Sequence, residues 1–332
     1  MTDVAALAQV SIKTVSRVIN GQPTVAPEMA ARVEDAVRRL DYHPNVAAVS
    51  LRRADHKTST IGLLLEDVAN PFSSTLHRAV EDTAKRHGML VFAGSSDEDP
   101  DREREVLGAF VRHRVDGLIV MPAPHHRNGL LVEQRRQGKP VVIVDRLLDF
   151  LDTDSVTADN RVGAREAVRH LAAHGHRRIA FLGDARSIWT ASERHAGYAE
   201  GLWMEGIPYD PDLVRQDFPT IELAEGAALD LLAAADPPTA LFTAQNLITL
   251  GAVRALRQRQ LQHRVALIGF DDLTLADLLD PATSAIVQDP HTLGRLAAEL
   301  LFARLAGDSS PSKNVVVPTR LVARGSGEIP AH

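Results

Sequence analysis

The sequence predicts a small all-α head followed by a larger α/β body with parallel sheets, in a chain of 332 residues. Apolar residues recur at helical spacing through residues 1–57. From Thr60 onward, short β-rich runs alternate with helical stretches, which is typical of parallel sheets covered by helices on both faces. The body contains about ten such runs, more than one ordinary sheet holds, so we expect two sheets.

The composition is that of a globular protein with more than one domain. Hydrophobic residues make up 45% and charged residues 24%, which is ordinary for globular chains. The absence of cysteine excludes disulfides and thiolate metal sites and fits a reducing compartment. There is neither a long apolar run nor a cationic segment leading into one at the N-terminus. We therefore expect a cytoplasmic protein that makes no membrane contact.

The charge is unevenly distributed along the chain. Residues 1–57 hold 8 Lys and Arg against 6 Asp and Glu, whereas the net charge of the whole chain is −6. A mildly basic head on an acidic body indicates that only the head meets nucleic-acid phosphate.

Three short helices are predicted in the head. The first has Val4, Leu7 and Ala8 at helical spacing, and Ser11 offers an N-cap hydroxyl for the second. Pro27 suits the first turn of the third. The apolar positions expected to be buried in the third helix are Val33, Ala36, Val37 and Leu40.

The second helix has two distinct stripes. Val15, Val18 and Ile19 form the apolar stripe, and the opposite stripe consists of Ile12, Lys13, Ser16, Arg17 and Asn20. Three small helices with a tight link between the first two describe a helix-turn-helix, whose second helix reads DNA. Spacing alone leaves open a solvated face on a generic helical bundle.

The identity of the residues adds to this interpretation. The stretch DVAALAQVSIKTVSRVINGQPTV, from Asp3 to Val25, closely resembles the head of the LacI family of bacterial regulators. The resemblance implies that Ile12, Lys13 and Arg17 contact base edges in the major groove. It implies that the neighbouring polar residues contact phosphates or brace the helix: Ser11, Thr14, Ser16 and Asn20.

Two head residues depart from the family pattern. Gln9 stands in the turn where glycine is usual, and a left-handed backbone there would cost about 1 kcal/mol. Ala26 stands where the family often has a capping serine.

The segment from Tyr42 to Thr60 is the predicted hinge. Its composition predicts a flexible linker, because one and a half turns of helix are not stable alone in water. The resemblance instead implies a hinge helix that folds only on DNA, with Leu51 wedged between base steps in the minor groove. The matching residues are Asn45, Ala48, Ser50, Leu51 and Arg52. Val49 replaces the family's usual arginine, which removes one possible DNA contact.

The body contains clear β-rich runs and helical stretches. The predicted strands are Thr60–Leu65, Leu90–Ala93, Gly117–Val120, Val141–Val144, Ile179–Gly183, Ala240–Thr243 and Val265–Phe270. The predicted helices include Phe72–His87, Asp101–Arg112, Arg161–His174, Ala224–Ala234 and Ile248–Arg259. Ligands of such folds bind at the carboxyl ends of strands.

The resemblance extends over nearly the whole chain, through segments such as IGLLLEDVANPF, DSVTADNRVGAREAVRHL and ALIGFDD. It implies a two-lobed effector core similar to periplasmic sugar-binding proteins. The expected boundaries are 1–44 for the head, 45–58 for the hinge and 59–332 for the core. The first lobe would take residues 59–158 and 290–318, and the second lobe 159–289 and 319–332.

Eight residues just past strand ends are the candidate effector contacts. They are Asn70, Phe72, Asp145, Arg146, Trp189, Arg194, Asn246 and Asp271. Carboxylates, amides and guanidinium groups bind hydroxyls in pairs, and an aromatic ring covers the apolar face of a sugar. Each residue taken alone could be a loop polar group or a cap. Arg194 and Asp271 could also form a structural pair, and Trp189 a hydrophobic lid in the loop before a helix over Ser192–Met204.

The function that follows is a DNA-binding repressor that acts as a homodimer on a near-palindromic operator. Its effector is expected to be a sugar or sugar derivative, with a purine or nucleoside as the alternative, and either induction or co-repression fits. Gln245–Asn246 replaces the family's usual Asn-Asp pair, so a less acidic pocket is expected. We expect no cofactor, metal site or catalytic activity. A solute-binding protein is the alternative of another class, and the head argues against it.

Overall fold

A computed structural model describes residues 1–19, 22, 24–42, 58–124 and 128–332. These residues divide into two compact units, 1–58 and 59–332. The helices are α1 Thr2–Ala8, α2 Ile12–Ile19, α3 Pro27–Arg39, α4 Pro71–Arg86, α5 Pro100–Arg112, α6 Gly129–Arg136, α7 Asn160–Ala173, α8 Trp189–Met204, α9 Ile221–Leu232, α10 Asn246–Gln258 and α11 Pro290–Leu305. The strands are β1 Thr60–Leu65, β2 Leu90–Ser95, β3 Gly117–Val120, β4 Val141–Val144, β5 Asp154–Ala158, β6 Ile179–Leu182, β7 Val214–Arg215, β8 Ala240–Thr243, β9 Ala266–Phe270, β10 Ser284–Val287, β11 Asn314–Val317 and β12 Arg320–Val322.

The first unit contains three short helices around a small apolar core. Its buried residues are Val4, Ala5, Ala8, Val15, Val33 and Ala36. Leu40 was predicted to be buried, but 43% of its surface is exposed. This prediction was wrong because Leu40 lies at the C-cap of α3, beyond its last turn.

The second unit contains two six-stranded sheets. Their strand orders are β11-β5-β4-β3-β1-β2 and β12-β10-β9-β8-β6-β7. The predicted parallel sheets are confirmed: all the strand pairs are parallel except β10 with β12, an antiparallel pair at the edge of the second sheet. β12 follows β11 after a short connection that crosses from the first sheet to the second, and there it pairs with β10 in the opposite direction.

Helices cover both faces of each sheet. In β1, Ile61, Leu63 and Leu65 pack against α4 and α11, whereas Leu64 points to the cluster under α5 and α6. This alternation follows from the two-residue period of a strand. In the second sheet, α7 and α8 cover one face and α9 and α10 the other. The central strands β1, β3, β4, β6, β8 and β9 are therefore buried, which is why they appear in the sequence as apolar runs, whereas the edge strands β2, β11 and β12 are partly exposed.

The two lobes are connected three times, near residues 159, 289 and 318. Asp159 links two of the connections, because its side chain accepts a hydrogen bond from the Thr319 amide at 2.6 Å and its own amide donates to the Val317 carbonyl. The carboxyl ends of six strands, β1, β4, β6, β8, β9 and β10, contribute residues to the cleft between the lobes. This arrangement brings residues far apart in the chain to one site.

Candidate functional site

The turn between α1 and α2 has the left-handed backbone that the family pattern implied. Gln9 has φ 52° and ψ 46°, a conformation that is costly for any residue with a Cβ. Arg32 of α3 donates hydrogen bonds to the carbonyl oxygens of Ala8 and Gln9. The turn is thus braced from the third helix, a role that helical spacing did not predict for Arg32.

The start of α2 is capped as predicted. The Thr14 amide donates to Ser11 Oγ at 3.1 Å, and the two hydroxyl oxygens lie 2.9 Å apart. An N-cap of this kind satisfies amide groups that the first turn leaves without a partner. Ser11 and Thr14 therefore hold the orientation of α2.

α2 presents a polar face opposite its core face. Val15 is fully buried, while Ile12 is 49% exposed and Lys13 is exposed beside it. Ser16 and Arg17 are half-buried on the same helix. Exposed apolar, cationic and hydroxyl groups on one helix suit a major groove. The DNA contacts of these residues remain predictions. The candidates outside the described residues are Asn20, Asn45, Ala48, Ser50, Leu51 and Arg52.

The cleft of the second unit brings six of the eight effector candidates into one cavity. These are Asn70, Phe72, Asp145, Arg146, Arg194 and Asp271. Polar residues that the sequence analysis did not single out also line it: Glu66, Glu98, Asp184, Thr190, Gln245 and Gln288. The wall therefore comes from both lobes, and ligand contacts made here would bear directly on the angle between them.

Arg194 lies deep in the wall of the second lobe. Its Nε donates to Asn160 Oδ1 at 2.7 Å, and its Nη1 donates to the Ala244 carbonyl at 2.7 Å and lies 3.5 Å from Asp271 Oδ2. The guanidinium also stacks 3.9 Å from the centre of the Phe270 ring. The Arg194–Asp271 pair thus exists within the protein and faces the cavity at the same time.

Arg146 has the corresponding place in the first lobe. Its Nη1 donates to Glu98 Oε2 and to the Pro122 carbonyl, both at 2.7 Å, and Nη2 donates to the other Glu98 oxygen. This two-pronged pair fixes the guanidinium plane. Glu98 lies two residues before α5, and it was not singled out in the sequence analysis. Asp99 caps that helix, accepting from the Asp101 amide at 2.8 Å.

Asp145 and Asp271 occupy equivalent places in the two lobes. Each follows a strand that is third in its sheet order, β4 or β9, and each has φ 69°. The amide of each donates to a carbonyl of the neighbouring strand, Val156 or Ile286, at 2.8 and 2.9 Å. Left-handed backbone outside glycine is uncommon and concentrates at functional sites. The same local device therefore aims one carboxylate from each lobe into the cleft.

The carboxyl groups of the cavity are poorly solvated. Burial raises the pKa of Glu66 to about 7, against the opposing attraction of Arg146. Burial also raises the pKa of Asp145 and of Asp184. The expectation of a less acidic pocket was based on positions 245–246 alone, yet five carboxyl groups line this cavity beside two guanidinium groups.

The two remaining candidates line neighbouring cavities that share residues with the central one. Asn246 lines an adjoining cavity of about 260 Å³ that also contains Phe72 and Asp271. Trp189 lines a larger one of about 710 Å³ that shares Arg146 with the central cavity. Trp189 is the first residue of α8, so its placement in a preceding loop was wrong, and Arg194 lies in the second turn of that helix.

One hydrogen bond connects the lobes across the cleft. Asn246 Nδ2 donates to Asn70 Oδ1 at 2.9 Å, and Asn70 Nδ2 donates to Glu66 Oε1 at 3.0 Å. Between the lobes the central cavity holds about 40 Å³, room for roughly three waters. A sugar ring needs more, so its entry requires the lobes to part or side chains to move.

A DNA-reading helix-turn-helix unit and a two-lobed unit with a polar cleft define a ligand-responsive transcriptional regulator. Residues 1–45 match the model for bacterial regulatory proteins of the lacI family, and residues 168–327 match that for a periplasmic binding protein-like domain. The transcriptional regulator PtxS of Pseudomonas aeruginosa is 35% identical over 98% of this chain and 95% of its own. GalR of Escherichia coli K12 is 33% identical over 99% and 96%. The chain belongs to the LacI family.

Solved structures agree in fold. The lac repressor dimer bound to operator and the anti-inducer ONPF superposes with a TM-score of 0.86 at 26% identity, covering 98% of both chains. The complex of the regulator CelR with cellobiose gives a TM-score of 0.74 at 31% identity, also over 98% of both. Among the described residues, no helix has the length and apolar character needed to span a membrane.

Proposed function

We propose that this protein is a homodimeric transcriptional repressor that binds a near-palindromic operator and is controlled by a sugar or sugar derivative bound between its lobes. The observation that carries the proposal is the cavity whose polar wall comes from both lobes. A ligand that contacts both walls has different affinities for different lobe angles, and that difference is the free energy available for control.

Each part of the proposed function is assigned to one segment of the chain. We assign reading of the operator to residues 1–44, a DNA-dependent hinge to 45–58, and effector binding and dimerisation to 59–332. Ile12, Lys13 and Arg17 would read base edges, since Ile12 and Lys13 are exposed on α2 and the half-buried Arg17 lies one turn further along it. The protein acts by binding alone, catalyses no reaction, and works in the cytoplasm, where bacterial DNA lies. The named relatives, which are regulators, support this.

The experiment that tests operator recognition is selection of the full-length protein against random duplex DNA. We expect a near-palindromic winning sequence whose affinity falls steeply with salt, because several phosphates are neutralised on binding. Enrichment of no sequence in the presence or absence of candidate sugars would refute the proposal.

The hinge is tested by Leu51→Ala. If Leu51 wedges into the operator, specific binding should weaken much more than binding to non-specific DNA. Equal losses on both DNAs would show that Leu51 makes no such contact.

The cleft is tested by Arg194→Ala. This variant should lose the effect of the ligand on operator binding while it keeps operator affinity. Since Arg194 is buried and makes several hydrogen bonds, a second variant, Gln288→Leu, changes the cavity wall at another position, where the side chain donates a hydrogen bond to Asp271. A normal ligand response in both variants would place the effector elsewhere.

A further inference from the structure

The lining of the central cavity contains more acidic than basic groups. Glu66, Glu98 and Asp145 come from the first lobe and Asp184 and Asp271 from the second, whereas Arg146 and Arg194 are the cations in the lining. Buried carboxylates are stable only when a counter-charge or hydrogen-bond donors meet them. The question is therefore which of the five the protein itself neutralises.

Both guanidinium groups are already engaged by protein carboxylates. Arg146 makes a two-pronged pair with Glu98, in which Nη1 donates to one carboxylate oxygen and Nη2 to the other. Arg194 lies 3.5 Å from Asp271 and donates its strongest bonds to neutral oxygens of Asn160 and Ala244. Arg146 Nε has no hydrogen-bond partner in the described ranges of the chain, but it lies 3.6 Å from Asp145 Oδ2, so an anionic ligand at this atom would also meet a carboxylate.

Three carboxyl groups are left with mainly neutral partners. Glu66 accepts from the Asn70 amide group at 3.0 Å, and Asp184 accepts from the Ala185 backbone amide at 2.7 Å. Asp145 Oδ2 lies 3.6 Å from Arg146 Nε, a guanidinium whose charge is shared with Glu98. The raised pKa values of these three groups have the same cause, because burial exceeds the attraction of the nearby arginines.

Unpartnered acceptors indicate the chemistry of the ligand that this cavity suits. Asp145 is 95% buried, and its Oδ1 has no hydrogen-bond partner within the described part of the chain. In the opposite wall, Gln288 Oε1 is also buried and has no hydrogen-bond partner among the described residues. Buried acceptors of this kind cost free energy until a donor reaches them. The cavity is therefore built for a ligand that is rich in donors.

We infer that the effector is a sugar bearing a protonated amino group, whose ammonium lies against Asp145 while its hydroxyls contact the remaining carboxyl and amide oxygens. This inference rests on the proposed function and names the chemical class of ligand for that same cleft. A cation relieves the excess negative charge, a neutral sugar supplies hydroxyl donors alone, and a sugar acid adds repulsion.

The test is isothermal titration calorimetry of the full-length protein with matched sugars. For each of the glucose, galactose and mannose rings, the series contains the neutral sugar, its 2-amino and 6-amino derivatives, and its uronic acid. An amino derivative should bind at least tenfold more tightly than its neutral parent, and the uronic acid at least a hundredfold more weakly. The inference is overturned if a neutral sugar or an acid binds as tightly as its amino counterpart. It is also overturned if none of the amino derivatives binds.

The variant Asp145→Asn separates charge from general polarity. It should reduce affinity for the amino derivative at least tenfold and change affinity for the neutral parent less than threefold. The matched control Asp230→Asn removes an exposed carboxylate from α9 and should change neither value. Equal losses for both ligands in Asp145→Asn would show that Asp145 acts as a neutral hydrogen-bond acceptor and would overturn the inference.

The outcomes distinguish this inference from the proposed function. If a neutral sugar binds the cleft as tightly as its amino derivative and alters operator affinity, the proposed function stands and the inference of an amino sugar is refuted. Failure of the protein to select any operator would instead refute the proposed function, whatever the calorimetry shows.

Discussion

Gln9 occupies a turn position with a left-handed backbone, where glycine has no steric cost. We expect Gln9→Gly to stabilise the head by about 0.5–1 kcal/mol, a gain reduced by the lost side-chain contact with Arg32. The measurement is the rate of amide hydrogen exchange in α1 and α2 of the full-length protein. Ala6→Gly is the control, because it places glycine within α1 and should destabilise by about 1 kcal/mol. The same sign for both would contradict the argument from backbone conformation.

Glu66 should make stability depend on pH. Its pKa of about 7 in the folded protein lies above the ordinary 4.5, so the folded state holds this proton more tightly and stability falls as pH rises from about 4.5 to 7. The charged groups that act on it are Arg146, Glu98 and Asp145.

Glu66→Gln removes this titration. The variant should match the natural protein at pH 5 and exceed its free energy of unfolding by about 1 kcal/mol at pH 8, a value reduced for solvent screening. Urea denaturation at a series of pH values measures the difference. Glu105→Gln, at an exposed position on α5, is the control. A constant offset between pH 5 and pH 8 would rule out titration of Glu66 as the cause.

Arg17 is predicted to contact a base edge from α2. Arg17→Ala should weaken operator binding by about 1–3 kcal/mol and relax sequence preference at one position of each half-site. Competition binding with singly substituted operators measures both effects. Arg39→Ala, which removes an exposed cation from α3 that pairs with Asp35 at 3.9 Å, should cost less and leave the preference intact. A uniform loss over all sequences would assign Arg17 to phosphate contact.

Sequence reasoning at this scale found the cavity residues that directly follow clear strands. Asp145 and Asp271 were predicted because they end apolar runs. Glu66 and Asp184 satisfy the same rule, because they come just after β1 and β6, and they were missed in the sequence analysis. Glu98 could not be found by the rule, because its role comes from a bond to Arg146, 48 residues later.

Glycines allow the helix pairs of the core to approach closely. A Cβ at Gly197 of α8 would lie 2.3 Å from the Arg161 carbonyl oxygen, and one at Gly294 of α11 would lie 2.4 Å from that of Leu76. In both cases the obstacle is backbone, which cannot move without shifting a helix. These glycines therefore set the spacing of α7 with α8 and of α4 with α11.

Gly197→Ala should lower the free energy of unfolding by about 1–3 kcal/mol, because the added methyl overpacks a helix interface. Gly226→Ala is the matched control in α9, where nothing lies within 4 Å of the added Cβ, and it should stabilise by up to about 1 kcal/mol. Urea denaturation of both variants gives the comparison. Destabilisation by both would mean that the effect is not a matter of interface spacing.

Strands were predictable where their own residues carried the signal. Five strands are mainly apolar runs and were predicted within one residue of their observed bounds: β1, β3, β4, β8 and β9. β5 was not among the predicted strands, although its five residues are buried. Its sequence, DSVTA, is polar, and Asp154 is tolerated in the sheet because Arg304 pairs with both its oxygens at 2.7 and 2.8 Å. That pairing spans 150 residues and leaves no local pattern.

The whole molecule connects two binding events, and their coupling must be reciprocal. If a saturating ligand lowers operator affinity by some factor, saturating operator must lower ligand affinity by the same factor. Calorimetry of the ligand with free protein and with the protein–operator complex measures one side, and operator titrations measure the other. Factors that differ beyond experimental error would show that the ligand binds at more than one site or changes the assembly state.

The two lobes share one strand order although no internal repeat is visible in the sequence. β4 corresponds to β9 and β5 to β10, and the equivalence places Asp145 opposite Asp271. Sequence alone did not reveal this, because the lobes preserve positions of burial and backbone geometry without preserving residue identity.

The strand order also determines how the protein can fold while it is being synthesised. The first sheet is complete only when β11 pairs with β5, and β11 follows β5 by about 160 residues in the chain. The ribosome needs roughly 8–30 s to add these residues, and during that time the sheet lacks its edge strand. During this interval the face formed by Ile61, Leu63 and Leu65 also lacks α11. The nascent first lobe therefore has an uncovered apolar face that suits a chaperone, and a premature stop near the end of the message would damage the first lobe as severely as the second.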